Sequence, residues 1–184
     1  MKPALLYLLA ALIVSPALAG SETEMPREMV LLTVGGLVGK SNRGPVDAKR
    51  DVLLAEHKVA FKNAFAFDRA MLLALPQQTV TAQPNTYAKP ASFSGPGLRD
   101  VLEYLEAAKL KISFMALDGF TGWLVPEDID GSDWILALSA DGVPLGIGQQ
   151  GPIWLVKSGT QQLDKADPKH GDWVWNVFYI NIGE

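Results

Sequence analysis

The feature that most constrains this chain is how soon each apolar run after residue 19 meets a turn signal. Met29–Val34 stops at Gly35-Gly36, Ala70–Leu75 at Pro76, Trp134–Leu138 shortly before Asp141-Gly142, and Val177–Ile182 at Gly183. Glycine and proline punctuate backbone structure, so short strands and short helices are the only regular elements such a sequence supports. The predicted strands cover 29–34, 79–81, 134–139, 152–157 and 177–182. Val59, Phe61, Asn63, Phe65 and Phe67 alternate with small or charged residues, the period of a half-buried strand. Leu110, Ile112, Phe114 and Ala116 repeat that period; Asp118-Gly119 then turns the chain into a return strand over 120–125, which makes a hairpin. Asn42-Arg43-Gly44-Pro45 reads as a turn and 83–89, with Pro84 and Asn85, as a loop.

Two helices are predicted. Asp68 is placed to cap a short one over 69–75, which Pro76 ends. A longer one runs from about Gly97 to Lys109, where Leu98, Val101, Leu102, Leu105 and Ala108 form one apolar stripe and Arg99, Asp100, Glu103 and Glu106 lie off it. Strands outnumber helices, so the class is α+β with a dominant mixed sheet. No internal repeat or low-complexity segment is present.

The first nineteen residues read as a cleaved signal peptide. Lys2 precedes an apolar run from Ala4 to Val14, followed by Pro16 and the small-residue site Ala17-Leu18-Ala19. The run is too short to span a bilayer, and no other stretch is long enough. Cleavage after Ala19 leaves a flexible leader over 20–28 and a single domain over 29–184, in the periplasm or outside the cell. The signal carries Lys2 alone among the basic residues, so the remainder has 15 basic against 20 acidic side chains, a net charge of −5. Without a basic cluster, nucleic acid is not an expected partner. The chain has no cysteine, hence neither a disulfide nor a site for a lipid anchor.

Four segments carry a resemblance: Phe67-Asp68-Arg69-Ala70-Met71-Leu72-Leu73-Ala74-Leu75-Pro76; Phe93-Ser94-Gly95-Pro96-Gly97-Leu98-Arg99-Asp100-Val101-Leu102; Ala116-Leu117-Asp118-Gly119-Phe120 with Val125-Pro126; and Gly151-Pro152-Ile153-Trp154-Leu155-Val156. In this order, and closed by Trp175 before the last strand, they resemble the molybdopterin-binding domain of sulfite-oxidase-type oxidoreductases, and most of all small exported proteins made of that domain alone. The resemblance covers Met29 to the C-terminus. It implies a compact, strand-dominated mixed-sheet α+β fold, and in the enzymes a molybdenum–pterin cofactor held in a cleft for oxygen-atom or two-electron transfer.

The residues that would serve that chemistry are replaced. In the family the metal is bound by a cysteine in the loop that falls here at Ala82-Gln83-Pro84-Asn85-Thr86, where there is no thiol. Trp154 stands where the enzymes often carry arginine, and Val174-Trp175 where they often carry Lys-Trp; the family's cations suit phosphate and anionic substrates. Cofactor of this kind is loaded in the cytoplasm and its exported carriers cross folded behind a twin-arginine signal, which this chain lacks. The resemblance thus implies a non-catalytic exported domain without cofactor, a ligand- or partner-binding accessory or sensory module. Its partners would be a small molecule or a membrane signalling protein. The alternatives are a molybdopterin-dependent oxidoreductase with non-thiolate ligation and a structural interaction domain.

Asn85, Arg99, Asp118, Trp154 and Trp173 are the residues expected near the ancestral cleft. His57 and His170 lie far apart and read as surface residues; Asp128-Ile129-Asp130-Gly131-Ser132-Asp133 reads as a solvated acidic turn rather than a calcium loop. Gly95-Pro96-Gly97 reads as a tight turn feeding a helix. Trp134 and Trp154 are expected in the core, while Trp173 and Trp175 share a face or diverge according to local geometry.

Overall fold

A computed structural model of the chain describes residues 24–183. The expected signal segment, 1–19, and the first residues of the expected leader lie outside them. The rest of that leader runs along the domain. The backbone N–H groups of Arg27 and Glu28 donate to Asp68 Oδ2 at 2.7 and 3.2 Å, and Asn42 Nδ2 donates to the Glu24 carbonyl at 2.9 Å.

The first sheet contains β1 (Val30–Gly36), β2 (Ala64–Asp68), β5 (Ile112–Ala116), β6 (Thr121–Leu124) and β12 (Val177–Ile182), in the order β2-β1-β12-β5-β6. β1 and β12 are parallel and the other pairs antiparallel. A second sheet holds β3 (Gln77–Gln83), β4 (Ala91–Pro96), β8 (Ser139–Ala140), β9 (Val143–Pro144) and β11 (Gly159–Thr160), in the order β11-β3-β4-β8-β9. β7 (Ile135–Ala137) and β10 (Trp154–Val156) form a separate antiparallel pair. The helices are short: α1 (Val52–Glu56), α2 (Arg69–Ala74), α3 (Leu98–Tyr104) and α4 (Pro126–Asp130). Strands dominate, parallel and antiparallel pairings mix, and the α+β class results. No helix among the described residues is long and apolar enough to cross a membrane.

Several local expectations need correction. The alternating segment 59–67 becomes a strand only from Ala64, and every residue of β2 is buried rather than every second one. Edge strands leave polar backbone groups unpaired, and here Asn42 closes that edge: its Nδ2 donates to the Ala66 carbonyl at 2.8 Å, and Ala66 N–H donates to its Oδ1 at 2.7 Å. The helix expected over 97–109 stops at Tyr104. Glu106 adopts a left-handed φ of 52°, and the Leu105 carbonyl accepts from the N–H groups of Gly39 and Lys40 instead of continuing the helix. The apolar run 134–139 is divided between β7 and β8, in different sheets. Asp141-Gly142, which joins β8 to β9, has both φ angles positive, 48° and 77°, as a two-residue hairpin turn of type I′ requires.

β4 has no counterpart among the expected strands, yet it joins the parts of the core. Gly95 lies in this strand, where a Cβ would sit 2.0 Å from the Leu136 carbonyl oxygen. Leu138 N–H donates to the Ser94 carbonyl and Leu98 N–H to the Trp134 carbonyl, both at 2.8 Å. Gly95-Pro96-Gly97 is therefore the seam between β4 and β7, and not simply a turn before a helix. One continuous core joins the sheets, with Phe65, Phe67, Phe93, Phe114, Leu98 and Leu136 fully enclosed.

Candidate functional site

The residues expected near the cleft fall into two groups. Trp154 and Trp173 are together: both are 2% exposed, and Trp154 Nε1 donates to the Trp173 carbonyl at 2.9 Å. Trp154 occupies a three-residue, fully buried β10, and its side chain packs against Phe93 of β4, with ring centroids 5.3 Å apart at 81°. Tyr87 completes an aromatic triad, 5.7 Å from each of them. Tilted and edge-to-face pairs of this kind suit the aromatic quadrupole.

Asn85 lies on the exposed loop that carries Tyr87, and polar contacts link it to the tryptophans. Asn85 N–H donates to Gln161 Oε1 at 3.0 Å, and Gln161 Nε2 donates to Asp172 Oδ1 at 2.8 Å. The same Asp172 oxygen accepts the Trp173 N–H at 2.8 Å. Gln161 N–H also donates to the Gln83 carbonyl, continuing the parallel register of β11 on β3. The result is a ring, Asn85–Gln161–Asp172–Trp173–Trp154–Tyr87, linked by hydrogen bonds and one aromatic contact and closed through the loop backbone between Asn85 and Tyr87. Burial raises the Asp172 carboxyl above its ordinary value, and the two donated hydrogen bonds oppose that rise.

Arg99 and Asp118 stand apart from the ring. Arg99, exposed at the start of α3, donates through Nη2 to the carbonyls of Ile129 and Asp130 at 2.9 and 3.0 Å, closing the C-terminal end of α4. A cation at a helix N-terminus is a dipole misfit; its partner here is the end of a neighbouring helix. Asp118 accepts from the Phe120 N–H at 2.9 Å and shapes the β5–β6 turn. Trp175 diverges from Trp173 and is 47% exposed.

The histidines are not free surface groups. His57 Nε2 lies 3.2 Å from the Leu117 carbonyl, which can only accept, and its ring packs on Gly119 of the hairpin turn. His170 Nε2 is 2.8 Å from Asp128 Oδ2, and its ring stacks on Trp123 with centroids 4.2 Å apart at 11°. The acidic segment 128–133 begins inside α4, where Asp128 also accepts the Val125 N–H at 2.9 Å. Gln161, Asp172 and Tyr87 are functional candidates that the sequence does not single out. They carry no motif, and the contacts that join them span up to 76 positions. Among the described residues no group of three or more His, Cys, Asp or Glu side chains is arranged to hold a metal ion.

Among solved structures, the fold matches the sulfane dehydrogenase SoxCD from Paracoccus pantotrophus with a TM-score of 0.56 at 18% sequence identity. This chain shares its fold with part of a sulfane dehydrogenase. The match takes in 86% of this chain but only 39% of that one, so well under half of the larger chain has a counterpart here. No family model matches the sequence, and no curated protein does. At this identity the likeness is one of fold, and function must be argued from the site.

Proposed function

We propose that this chain is an exported, non-catalytic domain of the sulfite-oxidase-type fold that serves as a binding module for a membrane signalling protein. The fold likeness to part of a sulfane dehydrogenase supports the fold in this reading. The closed ring of contacts carries the reading. Where the resemblance would put a metal-binding thiolate, the 82–86 loop offers amides and a threonine hydroxyl, and the Asn85 N–H is already hydrogen-bonded to Gln161. Where it would put a phosphate-binding guanidinium, the Trp154 indole lies buried against Phe93 and Tyr87. These residues do not fit a molybdenum–pterin group. Soft thiolate ligation and bidentate cations are what such a group needs, and amides and indoles supply neither.

A ring already engaged in its own hydrogen bonds and aromatic packing favours recognition of a partner by the outer surface over enclosure of a small molecule. Exposed apolar side chains suited to such contact include Trp175 and Ile147, 47% and 63% exposed. The test is crosslinking in intact cells of the native host, with identification of the membrane proteins joined to this chain. A discrete partner whose crosslinking yield falls on Trp175→Ala or Ile147→Ser, with the fold retained, supports the module. Recovery of the chain alone, together with turnover of an oxygen-atom-transfer substrate, overturns it.

A further inference from the structure

We propose that His170 is a pH-responsive latch for the segment 161–172: as an imidazolium it holds this strap firmly against β6 and α4, and as a neutral ring it holds it less tightly. The latch operates whatever partner the domain binds.

The strap leaves β11 at Thr160 and rejoins the core at Trp173, and most of its side chains between are exposed. Two backbone hydrogen bonds tie its far end to the edge of β6: Trp123 N–H donates to the Lys169 carbonyl at 2.9 Å, and Gly171 N–H donates to the Trp123 carbonyl at 3.0 Å. His170 sits between them, with carboxylates at both ring nitrogens. Asp128 Oδ2 of α4 is 2.8 Å from Nε2, and Asp164 Oδ2 of the strap is 3.7 Å from Nδ1. A neutral imidazole carries one N–H, so it can donate to one carboxylate while turning a lone pair toward the other. Only the doubly protonated ring satisfies both.

The other charged groups around the ring are identifiable. Lys111, next to the start of β5, holds its ammonium 4.5 Å from the centroid of the same Trp123 indole. Lys169 precedes His170 in the strap, and the Asp167 carbonyl accepts the His170 N–H at 3.0 Å. The hydrogen bond to Asp128 raises the His170 pKa above its ordinary value, with Asp164 adding to the rise and partial burial opposing it. For a base whose pKa is raised in the closed state, the stabilisation is complete below the ordinary histidine value of about 6.5 and lost as pH rises through the raised value. The latch is therefore shut in mild acid and loosens toward alkaline pH.

Amide hydrogen exchange of the full chain at about pH 5.5 and about pH 8, corrected for intrinsic exchange rates, reads this directly. Opening at the Trp123 and Gly171 amides should increase by roughly threefold or more at the higher pH, while amides in β12 stay unchanged. His170→Gln keeps a donor for Asp128 and removes the titration, so its opening should not vary with pH. A wild-type strap whose corrected exchange ignores pH, or a His170→Gln strap that still responds, overturns the latch. Should the variant misfold, NMR titration of wild-type His170 decides instead. A midpoint above that of a free histidine supports the proposal, and one at or below it refutes it.

Discussion

Asp68 is 1% exposed yet ionised, because backbone N–H groups from two distant segments converge on its carboxylate. Its Oδ1 accepts the Met71 N–H at 2.9 Å and caps α2; its Oδ2 holds Arg27 and Glu28. These N–H groups hold its pKa below the usual carboxylate range, the Met71 bond contributing most. A depressed carboxyl stabilises the fold above its unfolded value and loses that contribution as pH falls through the folded one. Asp68→Ala should cost about 2 kcal/mol at neutral pH, and much less in strong acid, by urea denaturation. An equal loss under both conditions would contradict this account. Trp154 makes a second test. Trp154→Arg introduces a cation into a buried site whose flanking rings, Phe93 and Tyr87, carry no charge to pair with it. An unpaired buried charge should lower stability by roughly 3 kcal/mol or more. A Trp154→Arg variant as stable as the wild type would mean that the site is open to water.

At the scale of elements, the seam between β4 and β7 is the most sensitive join. A methyl group at Gly95 meets the backbone of Leu136 and Ala137, at 2.0 and 2.8 Å, and neither can turn aside as a side chain would. Gly95→Ala should lower the thermal midpoint by several degrees or abolish folding, whereas Gly142→Ala, with no neighbour within 4 Å, should lose less, through its positive φ alone. Thermal unfolding of the two variants compares them.

The same join separates local from long-range information. Asp68 before Arg69–Ala74 and Asp118-Gly119 between β5 and β6 are legible in the sequence because capping and turn formation are local. β4 is not: Phe93 is its one large apolar side chain, and Ser92 and Ser94 face the other way, so no periodicity announces it. The stripe of α3 continues to Ala108 and overstates its length, while the residues that end the helix, Gly39 and Lys40, come from the chain just after β1. In the site, the burial of Trp154 is legible from its place in a strand-like motif, whereas that of Trp173 is not, since Trp173 and Trp175 read alike in the sequence and only Trp173 is buried. Gln161 and Asp172 become visible only when β11 adds to β3 and brings distant loops together. Arg99 stands out in the sequence as a charge out of place, but its partner, the end of α4, exists only in tertiary structure.

For the whole molecule, the matched fold and the residues inside it point in different directions. The backbone resembles part of a sulfane dehydrogenase over most of its length. The side chains of the candidate site are amides, aromatic rings and a carboxylate, joined to one another. A fold is set by buried pattern and pairing, so it outlasts the replacement of a few donor groups; a metal site depends on those few. On the proposed role, the domain is a scaffold whose outer surface does the recognition.

The molybdenum and pterin content of the protein purified from its native host tests this most directly. Elemental analysis should find far less than one molybdenum per chain, and the denatured protein should release no pterin fluorescence. One molybdenum and one pterin per chain, retained through gel filtration, would contradict the account and restore redox chemistry as the domain's function.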